Sequence, residues 1–170
     1  MTTQHPTIRR ARREDVPQIL EIEREAFLEP WEEEVFLQTL EWCPRTSLVA
    51  DLDGVVAGFL VGCLESTGEA TFGHISNLAV RPGFRKRGIG SRLVHHGIEE
   101  LRKHQCPFII VLGHAGYYTR FGFERASQYG IRCQWDGVPD EAFMILWLDL
   151  SKAAHISGTA KYREEFDAAV

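Results

Sequence analysis

Arg81-Pro82-Gly83-Phe84-Arg85-Lys86-Arg87-Gly88-Ile89-Gly90-Ser91-Arg92-Leu93-Val94, RPGFRKRGIGSRLV, stands mid-chain, and the fold is read outward from it. Before it, Thr71 to Val80 reads as a strand; after it, Ile89, Leu93, Ile98 and Leu101 recur on one face of a helix over Gly88 to His104. Between them five basic residues surround Gly88-Ile89-Gly90. Strand, basic glycine-containing loop and helix together make an anion site. The first helical amides have no intrahelical acceptor, the helix dipole is positive there, and glycine lets a phosphate approach the backbone. Arg85, Lys86 and Arg87 add charge-assisted contacts. The implied ligand is a phosphate or pyrophosphate; the competing reading is a solvated basic turn capping a helix.

The basic cluster is local, because the chain of 170 residues carries a net charge of -5. That balance argues against a general nucleic-acid or membrane binder, which needs a broad basic face. Four arginines near the first strand, Arg9, Arg10, Arg12 and Arg13, do not outweigh the acidic remainder. A P-loop needs Gly-Lys-Ser/Thr and a Rossmann fingerprint a third glycine where Leu93 stands, so both are disfavoured. No metal is expected: there is no H-E-x-x-H, and adjacent His95 and His96 cannot share a helix face. Cys43, Cys63, Cys106 and Cys133 are scattered without a C-x-x-C pair and read as reduced, inert thiols of a cytoplasmic protein, Cys63 and Cys106 as small core residues. No export signal and no membrane-length apolar run is present.

Working outward, Thr7 to Ala11 is a short strand, followed by a helix starting close to Glu14, where Pro17 is tolerated in the first turn. A second helix spans Trp31 to Trp42. Ser47 to Ala50 and Val55 to Glu65 flank Asp53-Gly54, a type I′ hairpin signal, and a turn at Gly68 leads into Thr71 to Val80. Phe108 to Leu112 is a continuous apolar run, the mark of a strand covered on both faces. A short helical turn over Ala115 to Phe121, a strand near Phe123 and a strand over Ala142 to Leu150 complete one mixed α/β domain, residues 1–150. Residues 151–170 form a tail, frayed or carrying a docked helix from about Lys161.

Arg85-Lys86-Arg87-Gly88-Ile89-Gly90 resembles the Q/R-x-x-G-x-G/A signature of the GNAT superfamily of acyl-CoA-dependent N-acetyltransferases. Tyr118-Thr119-Arg120-Phe121-Gly122-Phe123 resembles its second landmark, a Tyr four residues before Gly-Phe, and the element order agrees from Thr7 to Leu150. The resemblance implies a single-domain GNAT-like fold: a mixed, mostly antiparallel sheet flanked by helices, with a splayed cleft between the fourth and fifth strands. It implies acetyl-CoA as co-substrate, the pyrophosphate on Arg85, Lys86, Arg87, Gly88, Ile89, Gly90 and Ser91, and the pantetheine along the backbone of Leu78, Ala79 and Val80. The family often has Asn seven residues before the Tyr; Val111 stands there, and Gly113-His114-Ala115-Gly116 suggests a shortened fourth helix.

Transfer to an amine requires the neutral amine, and a Lys-like pKa of ~10.4 leaves about one molecule in two thousand neutral at pH 7, equivalent to roughly 4.6 kcal/mol. His74 aligns with a Glu that some family members use as general base, and imidazole suits that work; the alternative is an ordinary, partly buried strand histidine. His114 is a secondary acid/base candidate. Tyr118, with Tyr117 as fallback, is placed to hydrogen-bond or protonate the leaving sulfur, and a backbone N–H near Leu78 or Ala79 to polarise the thioester carbonyl. Phe27 and Trp31, beside the acidic run of Glu21 to Glu41, are candidate acceptor-site residues, with core packing and a solvated helix face as the bland alternatives. The expected activity is acetyl transfer from acetyl-CoA to a primary amine by direct attack in a ternary complex. The partner is a small-molecule or peptide amine, with a homodimer left open. The alternatives are a protein Lys or N-terminal acetyltransferase and a non-catalytic acyl-CoA-binding or regulatory domain.

Overall fold

The computed structural model of the protein describes residues 4–66 and 70–162. Strand β1 (Thr7–Arg10) is followed by helices α1 (Val16–Ala26) and α2 (Glu33–Trp42), then strands β2 (Leu48–Leu52), β3 (Val55–Ser66) and β4 (Thr71–Val80). Helix α3 (Ile89–Arg102) leads to β5 (Phe108–Leu112), the short helix α4 (Ala115–Tyr118), β6 (Glu124–Arg125), β7 (Ile131–Cys133), β8 (Phe143–Trp147) and β9 (Gly158–Ala160). Seven strands form one sheet in the order β1-β2-β3-β4-β5-β8-β6. All of its pairings are antiparallel except β4 with β5. This is the expected mixed, mostly antiparallel architecture.

The sheet is covered on both faces. Val16, Ile19 and Ile22 of α1 and Phe36 of α2 pack against Phe59, Val61 and Ile110, whereas Leu93, Val94, Ile98 and Leu101 of α3 pack against Leu60, Ile75 and Ile109. Ile109 and Ile110 thus point to opposite clusters, which is why β5 reads as an unbroken apolar run. At the Asp53-Gly54 turn both residues have positive φ, 51° and 88°, as a type I′ hairpin requires. Arg9 is consumed in architecture: its guanidinium donates two hydrogen bonds to Asp15, each 2.8 Å, and one of 2.9 Å to Asp51. Burial alone would raise the Asp15 carboxyl, but the Arg9 fork and the Arg12 N–H outweigh it and hold the group below the usual carboxylate range.

Several elements depart from expectation for local reasons. Helix α2 starts at Glu33 rather than Trp31 because Glu32 is extended, with φ -74° and ψ 158°. Strand β8 ends at Trp147 because the N–H groups of Leu148 and Asp149 both turn to the Pro107 carbonyl, at 2.8 and 3.0 Å. Residues 151–162 pack onto the body: β9 pairs in parallel with β7, and Tyr162 is buried. The turn at Gly68 and most of the helix expected from about Lys161 lie outside the described residues.

The cysteine reading needs correction. Cys43 and Cys63, expected as reduced thiols, form a disulfide with Cα atoms 5.2 Å apart, while Cys106 and Cys133 are free. Twenty residues separate the pair in sequence; the fold brings them together because the chain leaving α2 lies directly on β3. Thr46 donates its hydroxyl hydrogen to the Gly62 carbonyl. A Cβ at Gly62 would stand 2.6 Å from the Thr46 carbonyl oxygen, so only glycine permits that approach.

Candidate active site

The site originates in one irregularity of β4. Val61 pairs with Asn77 but Gly62 pairs with Ile75, so Ser76 is an extra residue, a β-bulge. The parallel pairing of β4 with β5 stops at the same point, running over Gly73, His74 and Ile75 and no further. A bulge bends its strand and sharpens the local twist, so residues 77–80 stay paired with β3 on one edge and have no strand partner on the other among the described residues. The resulting V-shaped cleft has a volume of about 470 Å³. Its walls include Asn77, Leu78, Ala79 and Val80 on one side and Leu112, Gly113 and His114 on the other, with Tyr118 and Phe27 also lining it.

At the outer end the cleft opens into a groove of about 390 Å³ along Lys86, Gly88, Ile89, Gly90 and Ser91. Gly88 has φ +77°, the left-handed turn that starts α3. The first α-helical bond there is from the Arg92 N–H to the Gly88 carbonyl, at 3.0 Å. The N–H groups of Ile89, Gly90 and Ser91 therefore have no acceptor within the helix. A Cβ on Gly90 would stand 2.6 Å from the Tyr117 hydroxyl, so the glycine keeps this corner open. Arg85 lines both cavities, but its Nε donates to the Val80 carbonyl at 3.0 Å, bracing the loop against β4. Arg87 lies over the Phe84 ring, 5.4 Å from its centroid, and Phe84 rather than Arg87 lines the groove.

Two tyrosines sit where cleft and groove meet. Tyr117 lines both, hydrogen-bonds Ser91, and carries the Arg120 guanidinium 4.7 Å from its ring centroid. Tyr118 is buried against the end of β5; a Cβ on Gly113 would come within 2.5 Å of its Cε2, so Gly113 makes room for the ring. Burial, reinforced by the neighbouring Tyr117, pushes the Tyr118 phenol well above the ordinary tyrosine value. It stays protonated at neutral pH. Helix α4 is four residues long, the shortened helix expected from the sequence.

His74, the expected base, lies below the splay. It pairs with Cys63 on one side and Ile110 on the other, is 5% exposed, and its ring centroid is 4.1 Å from that of Tyr162. It is not among the residues lining the cleft. Burial lowers its pKa to about 3, so the imidazole stays neutral at neutral pH and has little affinity for a proton. His114, in contrast, is exposed at the end of β5 and lines the cleft. Phe27 reaches the cleft, whereas Trp31 packs on Phe36 with centroids 5.3 Å apart.

Sequence reasoning did not single out Glu23 and Asn77. Glu23, 1% exposed on α1, accepts from the Trp31 N–H at 3.0 Å through Oε1 and from Asn77 Nδ2 at 2.8 Å through Oε2. Burial raises its pKa, opposed by those two donors. None of the ion pairs among the described residues involves it. The available signal was that Asn77 is the sole asparagine of the chain, placed among apolar strand residues. Among the described residues no cluster of three His, Cys, Asp or Glu suits a metal, and no helix is long and apolar enough to cross a membrane.

The family model described as Acetyltransferase (GNAT) family matches residues 16–123. The uncharacterized N-acetyltransferase YjhQ of Escherichia coli (strain K12) is 35% identical over 131 residues, covering 73% of this chain and 72% of that protein. The crystal structure of the GNAT family N-acetyltransferase YhbS from Escherichia coli in complex with CoA superposes with a TM-score of 0.86 at 27% identity, covering 98% of this chain and 94% of that one. The sequence match to YhbS spans 53% of each chain at 32% identity. A GNAT family acetyltransferase from Brucella melitensis, solved with acetyl-CoA, superposes with a TM-score of 0.70 at 26% identity, over 96% and 99% of the two chains. A family match across most of the splayed sheet, with the signature loop and the tyrosine landmark in their places, means that this chain belongs to the GNAT family of acetyltransferases.

Proposed function

We propose that this protein transfers the acetyl group of acetyl-CoA to a primary amine by direct attack with both substrates bound. The observation that carries this reading is the continuity of two features: the loop whose Ile89, Gly90 and Ser91 amides lack helical acceptors opens into the cleft where β4 leaves β5. The loop amides suit the pyrophosphate, with Lys86 adding charge. The unpaired edge of residues 78–80 suits the amide groups of the pantetheine arm, and an N–H of that edge the thioester carbonyl.

Tyr118 donates a hydrogen bond to the departing sulfur. A thiol of pKa ~8.5 is a stronger acid than a buried tyrosine, so the phenol keeps its proton and stabilises the thiolate. The proton lost by the amine leaves through His114, the imidazole that lines the cleft. The acceptor enters beside Phe27, which lines the cleft. Calorimetry with acetyl-CoA, followed by thiol release with tryptamine, spermidine and an alanyl tetrapeptide, tests the reading. Micromolar binding with amine-dependent release is expected. Binding without release from any amine would favour a regulatory acyl-CoA module, and no binding would overturn the assignment of the loop.

A further inference from the structure

Asn77 is the first residue past the bulge, at the point where the cleft opens, and its amide donates to a carboxylate that forms no ion pair with any described residue. Both Glu23 oxygens accept, Oε1 from the Trp31 N–H and Oε2 from Nδ2 of Asn77, and the second contact turns Oδ1 away from the carboxyl. Oδ1 accepts from no described residue, and Asn77 is one of the residues that line the cleft. A carboxyl oxygen that accepts from the amide N–H also polarises the amide and strengthens its oxygen as an acceptor. Through its other oxygen Glu23 holds the Trp31 N–H, and so closes the loop of residues 27–31 that carries Phe27 to the cleft wall.

We propose that Asn77 is a catalytic residue that receives the acceptor amine, its Oδ1 taking a hydrogen bond from the attacking N–H, and that Glu23 is the positioning residue that fixes this orientation. The substrate class that fits is a primary amine, which in its neutral form offers an N–H to Oδ1 while its lone pair points at the thioester. The nitrogen lone pair forms the N–C bond, the C–S bond pair leaves on sulfur as thiolate, and the proton released from nitrogen passes through His114 to water. The products are the N-acetylated amine, CoA thiolate and one proton. The inference rests on the acetyl-transfer reading above.

Because Asn77 is the sole asparagine, protein labelled with 15N-asparagine shows one side-chain amide pair, with no assignment needed. With CoA saturating, a turned-over amine is expected to shift that pair. Asn77→Ala is expected to lower kcat/KM for the amine 10- to 100-fold while the acetyl-CoA Kd stays within twofold. Glu23→Gln, which has only one acceptor oxygen for two donors, is expected to lose a similar factor. The double variant Glu23→Gln/Asn77→Asp returns an acceptor oxygen to the cleft, held by the Gln amide, and is expected to recover at least tenfold over the Glu23→Gln single variant.

An amide pair unmoved by a turned-over amine, or an Asn77→Ala enzyme within threefold of wild type, would overturn the role of Asn77. Loss of acetyl-CoA binding in proportion to activity would reduce the pair to scaffolding. A wild-type protein that binds no acetyl-CoA brings down the transferase reading itself, and is told apart because it fails before any variant is made.

Discussion

The two halves of β4 differ in what lies along their second edge. Residues 71–75 are paired on both edges, with β3 and from Gly73 with β5, and the His74 ring is closed in by Tyr162. Beyond the bulged Ser76, residues 77–80 keep β3 but lose β5 and line the cleft. Two histidines show the consequence. His74, in the closed half, is dry and nearly impossible to protonate at neutral pH, while His114, beside the open half, is solvated. One bulged residue thus separates core from cleft within a single strand, and the state of a histidine follows burial more than residue type.

If the halves are separable, damage to one should spare the other. The largest effect is expected from Cys43→Ser or a reducing agent. The disulfide joins the end of α2 to β3 opposite His74 and closes a loop of 20 residues, worth about 3 kcal/mol of stability. Urea melts should show that loss while acetyl-CoA binding stays within threefold; parallel loss of binding would mean that the halves are mechanically one.

Gly90→Val attacks the open half. The new side chain must displace the Tyr117 hydroxyl and crowd the loop amides, and the acetyl-CoA Kd should rise on the order of 100-fold, about 2.7 kcal/mol. Thermal stability should barely move. Binding that survived would detach the glycine loop from cofactor recognition.

The pH dependence sharpens the contrast further. In the unfolded chain His74 binds a proton near pH 6.5, but in the native core only near pH 3, so its contribution is complete above 6.5 and is lost as pH falls. The loss is about 1.4 kcal/mol per pH unit, or about 2 kcal/mol by pH 5. Denaturant melts of wild type and His74→Phe at pH 7 and 5 should differ by that amount in slope, and equal slopes would contradict the dry environment. The smallest effect is assigned to Tyr118→Phe: loss of one hydrogen bond to sulfur should cost about tenfold in kcat, about 1.4 kcal/mol, with acetyl-CoA affinity unchanged. A Kd that rose instead would make Tyr118 a wall of the cleft.

The amino-acid sequence alone determined the features that are local. The helical stripe of α3, the paired positive φ angles of Asp53-Gly54, the glycine loop at the N-terminus of α3 and the short α4 all follow from residues within a few positions of one another, and each stands where the pattern places it. The tyrosine landmark and the strand before the loop are likewise contiguous in sequence, which is why the family was legible. Tertiary structure alone decided what depends on distant partners. The bulge at Ser76 is a matter of register between β3 and β4. The burial of His74 depends on Tyr162, the disulfide on the docking of α2, and the Glu23–Asn77 pair on two residues 54 positions apart. Propensity and spacing are short-ranged along the chain, whereas desolvation and hydrogen-bond direction belong to whatever the fold brings alongside; in this protein the glycine loop is of the first kind and the Glu23–Asn77 contact beside the cleft of the second.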